Sequence, residues 1–143
     1  MPDAYDRATF QRLAELRLSE AKLLAQQGYP SGAYYLTGYA IECALKARIA
    51  GQFRANEIPD KGFINRIYTH NLTELLELAG LKSDLEAATR ADVALGKRWA
   101  IVRNWSEQAR YGVWTDSDAS AMIDAVAGRQ DAEGVFQWLT RRW

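Results

Sequence analysis

One segment, residues 28–51, constrains the fold more than any other part of the chain. Its sequence is GYPSGAYYLTGYAIECALKARIAG, in which small and apolar residues recur every three to four positions. That spacing places apolar side chains along one stripe of an α-helix. Pro30 suits the first helical turn because its missing N–H is not needed there, and Gly51 stands where a C-terminal cap belongs. The segment is too apolar to have a solvated side, so we expect a central helix that other helices contact on several faces.

Composition narrows the class of protein. The chain has 143 residues, of which 48% are hydrophobic and 25% charged, and these values suit one globular domain spanning residues 1–143. The 18 basic residues balance the 18 acidic ones, so no global field attracts nucleic acid or an anionic membrane. A single cysteine, Cys43, excludes an internal disulfide and a cysteine-cluster metal site. With no signal-peptide pattern and no membrane-length apolar run, we expect a cytoplasmic protein.

The periodicity elsewhere predicts further helices and no strands. Gly51 to Thr69 has no clean period, although Phe63 to Tyr68 fit one short turn. Predicted caps are Thr69 or Asn71 for a short helix that runs to residue 80, Ser83 for the next helix, and Thr115 or Asp116 for the last helix. The predicted long helices cover residues 4–27, 30–51, 83–104 and 115–141. The third of them is expected to kink or break at Gly96. The sequence therefore predicts an all-α, up-and-down bundle of four long helices plus a short one.

Three segments carry a family resemblance. Residues 33–47, AYYLTGYAIECALKA, resemble the central helix of HEPN domains, and THNLTELL at 69–76 and the segment Trp105 to Tyr111 follow in the order expected for that family. The resemblance covers nearly the whole chain. It implies a helical bundle, a two-fold homodimer that brings two motifs together across a cleft, and a place in prokaryotic toxin–antitoxin or defence systems.

The resemblance also implies where chemistry would lie. Active HEPN domains are metal-independent ribonucleases whose motif is an arginine, a polar residue, a further four to six residues and a histidine. Arg103 and Asn104 match the first half of the motif, but Arg110 occupies the histidine position. Arginine stays protonated near neutral pH and cannot act as a base. We therefore predict a non-catalytic nucleotide- or RNA-binding module in which Arg103, Asn104 and Arg110 contact phosphate while Trp105 and Tyr111 shape the pocket.

Two other functions stay open at this point. His70 is the only histidine, so in an active ribonuclease Arg103 would hold the phosphate and His70, or Arg110 as a second cation, would assist. Alternatively, the chain is the helical interaction partner of a minimal nucleotidyltransferase, as an antitoxin pair would require. One histidine and one cysteine give no metal-ligand spacing, and no cofactor is expected.

The same polar and aromatic residues also suit structural roles. Glu42 and Lys46 are one helical turn apart, and the apolar neighbours of Glu42 predict a partly buried carboxylate that needs a partner, for which Arg103 or Arg48 is the expected residue. The aromatic and basic residues near the motif fit either a ligand-binding surface or a structural role, in the hydrophobic core or over the end of the helical bundle. Those residues are Lys97, Arg98, Trp99, Arg103, Trp105, Arg110, Tyr111 and Trp114.

Overall fold

Two long antiparallel helices form the centre of the fold. The computed structural model describes residues 5–143. Helix α1 (Arg7–Gln26) begins after Asp6, whose carboxylate accepts a hydrogen bond from the Thr9 amide at 2.8 Å. A short link through Gly28, whose φ of +84° favours glycine, leads into α2 (Pro30–Ala50). A link this short makes the helices antiparallel neighbours, and α1 packs along α2.

Six shorter α-helices and a 3₁₀ helix complete the described residues. Within residues 5–143 the backbone forms no β-strand, only an isolated bridge between Arg129 and Ala132, so the predicted all-α class is confirmed. No helix in this range combines the length and apolar character that a membrane crossing requires. The elements are α3 (Lys61–Arg66), α4 (Leu72–Leu78), α5 (Lys82–Ala91), α6 (Val93–Val102), the 3₁₀ helix (Glu107–Tyr111), α7 (Asp116–Ala127) and α8 (Val135–Thr140).

Helix α2 is the central element, as its composition predicts. Twelve of its 21 residues are buried, including Glu42 and Thr37 among apolar side chains. It contacts α1, α4, α7, α8 and the 3₁₀ helix. The single apolar stripe expected from the spacing is wrong, because a helix covered on so many sides buries residues all around its circumference and presents no polar face.

Two of the predicted long helices are divided. The break in the region 83–104 falls at Asp92 and not at Gly96, because Asp92 has extended backbone angles and its carboxylate accepts hydrogen bonds from the amides of Ala94 and Leu95 to start α6. The region 115–141 is divided between α7 and α8 after Gly128, whose φ is +70°. The predicted first helix begins at Arg7, and residue 4 lies outside the described range.

The predicted helix caps have mixed outcomes. Asn71 caps α4 by accepting from the Glu74 amide, and Thr115 caps α7 in a reciprocal capping box with Asp118. The cap predicted at Ser83 is wrong, because α5 already begins at Lys82 after Leu81, which makes no side-chain cap.

A close approach between Gly38 and Trp105 fixes the chain after α6 onto α2. The indole of Trp105 lies directly over Gly38, where a Cβ atom would overlap the ring. The Trp105 Nε1–H group donates to the carbonyl oxygen of Tyr35 at 3.2 Å. Only glycine leaves room for this packing.

We predict opposite effects for alanine at two helical glycines. Gly38→Ala should lower the free energy of unfolding by about 1–3 kcal/mol, because the added methyl group displaces the buried indole. Gly96→Ala is the control: its Cβ would lie 3.4 Å from Cβ of Thr89, an ordinary contact, and alanine favours a helix interior, so this variant should gain up to about 1 kcal/mol. Urea unfolding followed by circular dichroism measures both, and equal stability of the two variants would contradict the packing described.

Candidate functional site

A buried carboxylate on α2 lies at the centre of the candidate site. Glu42 is 2% exposed, and its Oε1 atom lies 2.7 Å from Nδ1 of His70, in the link between α3 and α4. Its Oε2 atom lies 3.7 Å from Nζ of Lys46, one turn further along α2. The side chain of His70 is about half exposed, at 49%. One carboxylate therefore holds two potentially cationic groups, and the imidazole remains open to solvent.

The partners of Glu42 differ from the expected Arg103 or Arg48. Arg48 instead donates to backbone carbonyls, from Nε to Ala79 at 3.3 Å and from Nη1 to Arg142 at 2.9 Å. The reason is position: Arg48 follows Glu42 by six residues, so the two side chains point to different sides of the helix. Lys46, four residues on, shares the face of Glu42.

An apolar cavity of about 350 Å³ opens beside the Glu42–His70 pair. Its polar lining includes the two side chains of that pair and Lys46. Burial raises the pKa of Tyr39 to about 12 and the pKa of the Cys43 thiol to about 11, so both groups stay neutral near pH 7. The aromatic side chains that line the cavity are Tyr5, Phe10, Tyr39, Phe53 and Tyr68.

Two tyrosines connect this cavity with Arg110. The rings of Tyr35 and Tyr39 are nearly parallel, with centroids 6.2 Å apart and an interplanar angle of 12°, and both are partly exposed. The guanidinium of Arg110 lies 4.9 Å above the Tyr111 ring centroid, and the neighbouring phenol groups of Tyr111 and then Tyr35 raise the pKa of Arg110. We refer to Tyr35, Tyr39, Glu42 and Lys46 as the α2 strip. Spacings of four, three and four residues put these side chains on one helix face.

The structure separates the aromatic residues that the sequence grouped together. Trp105 is 3% exposed and stacks on Tyr35 with centroids 5.9 Å apart, so its indole is part of the core. Trp114 stacks on Tyr34 at 3.8 Å and is also packed against the bundle. Tyr111, by contrast, is 73% exposed. Of these three residues, Tyr111 alone presents most of its ring to a ligand in solution.

The basic residues of the half motif also lie at different places. Arg103 and Asn104 are exposed at the end of α6, and Arg103 lines a second cavity of about 350 Å³ together with Lys82 and Trp99. His70 lines the cavity beside Glu42 and not this one. The α2 strip connects His70 to Arg110, whereas Arg103 faces a cleft formed by α4, α5 and α6.

The tyrosines of the α2 strip were not among the site residues predicted from the sequence. Their i, i+4 spacing with Tyr35 before Tyr39, and the continuation to Glu42 and Lys46, is visible in the sequence. The proximity of His70 and Arg110 to that face required the fold, because both come from connections outside helix α2. As for metals, residues 5–143 contain no group of three histidine, cysteine or carboxylate side chains arranged to hold an ion.

Comparisons with protein-family models, with curated proteins and with solved structures gave no match. The resemblance to HEPN domains therefore rests on the sequence segments that carry it.

The hydrogen bond between His70 and Glu42 predicts a measurable coupling. His70→Ala should lower the free energy of unfolding by about 1–3 kcal/mol, because a buried carboxylate oxygen loses its donor. The same change in a Glu42→Gln background should cost less, since a neutral amide is cheaper to leave unpaired. Denaturant unfolding of the four proteins completes the cycle. An equal cost of His70→Ala in both backgrounds would show that the two side chains do not interact.

Proposed function

We propose that the chain is a HEPN-like domain, built as an up-and-down helical bundle, that binds RNA or a nucleotide without cleaving it. The ligand surface consists of the α2 strip, Arg110 and Tyr111, with Arg103 and Asn104 as further phosphate contacts. The three segments that resemble HEPN domains support the family assignment. The geometry of the strip supports the ligand class.

A single observation carries the proposal: a stacked tyrosine pair on one face of α2 lies beside a permanent cation, Arg110. Tyr35 and Tyr39 are flanked by Arg110 at one end and by Lys46 and His70 at the other. Residues 35 to 46 extend over about 16 Å of helix at 1.5 Å per residue, a length that several nucleotides can follow. Aromatic rings stack on bases, while arginine and lysine side chains bind phosphates, and this combination is typical of single-strand binding surfaces.

The chemistry of Arg110 favours binding over catalysis. A ribonuclease of this kind needs a group that exchanges a proton with the 2′-OH or the leaving oxygen near neutral pH. Arg110 stands at that position of the motif, and the neighbouring phenol groups of Tyr111 and Tyr35 raise its pKa further. A permanent cation binds phosphate through a planar fork of donors but cannot act as the base.

The pairing of His70 with Glu42 favours one second candidate, a metal-independent endoribonuclease. A carboxylate that accepts from Nδ1 of a histidine fixes the tautomer and leaves Nε2 free to take a proton. In that mechanism His70 activates the ribose 2′-OH, and a cation such as Arg110 or Arg103 holds the phosphate. The open side of the imidazole is the feature that makes this candidate testable.

The proposed assembly is a two-fold homodimer, and a nucleotidyltransferase-type antitoxin remains the proposed protein partner in a toxin–antitoxin system. Both follow from the HEPN resemblance. Pairing of two chains would place two copies of the cationic surface around one groove, which would strengthen phosphate binding without supplying another type of base.

Binding to a short single-stranded RNA and to ATP tests the proposal, with tryptophan fluorescence as the readout because Trp105 stacks on Tyr35. Arg110→Ala should weaken RNA binding about tenfold and reduce the dependence of log K on log salt concentration by about one unit. Arg103→Ala should act in the same direction. Arg54→Ala is the matched control, because this arginine is 81% exposed on another part of the chain.

The two RNA functions separate on a gel run with the same samples. A protein that only binds RNA leaves it intact, both as the parent protein and as the His70→Ala variant. If the parent protein cleaves the RNA and His70→Ala abolishes the cleavage, the proposed binding function is wrong and the ribonuclease function takes its place. Undetectable binding of both RNA and ATP, or equal loss in the Arg54 and Arg110 variants, would contradict the proposed surface.

A further inference from the structure

The cavity beside Glu42 has a more selective lining than phosphate binding requires. Five aromatic side chains line it, and its charged side chains, Glu42 and Lys46, lie together with His70, which contacts Glu42. A volume of about 350 Å³ lies within the range of small-molecule sites, which are mostly apolar with a few placed polar groups. Such a cavity suits a flat, largely apolar ring with polar atoms along one edge.

One oxygen of Glu42 has unused capacity to accept a hydrogen bond. Oε1 is engaged by His70 at 2.7 Å, but the closest partner of Oε2 among the described residues is Lys46 Nζ at 3.7 Å, too long for a hydrogen bond. A carboxylate oxygen that faces a cavity gains from a hydrogen-bond donor on a ligand. A ligand N–H group could supply it.

The charges select a neutral ligand over a cation. Lys46 lies in the same cavity and already balances Glu42, so a cationic ligand would find no net negative charge to pair with. Lys46 has N–H donors only, whereas Glu42 accepts. The cavity thus presents an acceptor and a donor side by side. The complementary ligand edge has a donor next to an acceptor.

We propose that this cavity binds a nucleobase whose Watson–Crick edge carries an exocyclic amine next to an acceptor ring nitrogen, namely adenine or cytosine. Glu42 accepts from the amine, Lys46 donates to the ring nitrogen, and Tyr68, which is 72% exposed, stacks on the base at the cavity mouth. On the same Watson–Crick edge, guanine and uracil present a carbonyl oxygen where the amine would be and a ring N–H where the acceptor would be. This subsite rests on the proposed RNA- or nucleotide-binding function and gives it a base preference.

Calorimetric titration with nucleosides tests the subsite without any contribution from phosphate. Adenosine is compared with purine riboside, which lacks only the exocyclic amine, and with inosine, in which the donor and acceptor are exchanged. Adenosine should bind at least about tenfold more tightly than either analogue. In Glu42→Gln the preference of adenosine over purine riboside should shrink towards equality.

A substitution at an exposed residue tests the subsite independently, because replacing the buried Glu42 could disturb folding. Tyr68→Ala should weaken adenosine binding about tenfold through lost stacking, while Tyr29→Ala, also an exposed tyrosine but outside the cavity, should leave it unchanged. Circular dichroism verifies that each variant is folded.

The outcomes distinguish this inference from the proposed function. RNA binding that depends on Arg110 together with no adenosine binding, or with equal affinity for adenosine and purine riboside, overturns the base subsite and leaves the RNA-binding surface in place. Loss of both kinds of binding overturns both. Adenosine selectivity that Glu42→Gln removes supports the subsite.

Discussion

The burial of Glu42 is the constraint on which the candidate site depends. A carboxylate in the middle of an apolar helix is costly unless it is hydrogen-bonded and paired, and Glu42 obtains His70 and Lys46 as partners. His70 immediately precedes Asn71, the cap of α4. The hydrogen bond therefore holds the start of α4 against α2 and, by the same contact, forms the polar end of the cavity.

The other end of the α2 strip depends on packing instead of charge. Gly38 admits the indole of Trp105, and that indole both stacks on Tyr35 and donates to its carbonyl oxygen. The 3₁₀ helix that carries Arg110 follows two residues later. Two unrelated interactions thus bring two connections to one face of a single helix. Rigid placement on a buried helix is what a preorganised binding surface requires.

Much of the fold could be predicted because its signals are local. The apolar content of α2, Pro30 at its start and the caps Asn71 and Thr115 are all readable from neighbouring residues. The break at Asp92 was missed because an aspartate that caps a following helix and an aspartate on a helix surface look alike in sequence. The pairing of Glu42 with His70 was missed for a different reason. It joins residues 28 positions apart through a connection without periodicity, so no local pattern specifies it.

The central claim is that one face of α2, between Arg110 and His70, is where RNA binds. The most direct test is an NMR titration of the 143-residue protein with a short single-stranded RNA, following the backbone amides of every assigned residue. The proposed surface predicts the largest shift changes at Tyr35, Tyr39, Arg110 and the residues around His70, all with one common affinity. Changes confined to the groove between α1 and α7, which Lys22 and Asp124 line, or no changes at all, would contradict the account.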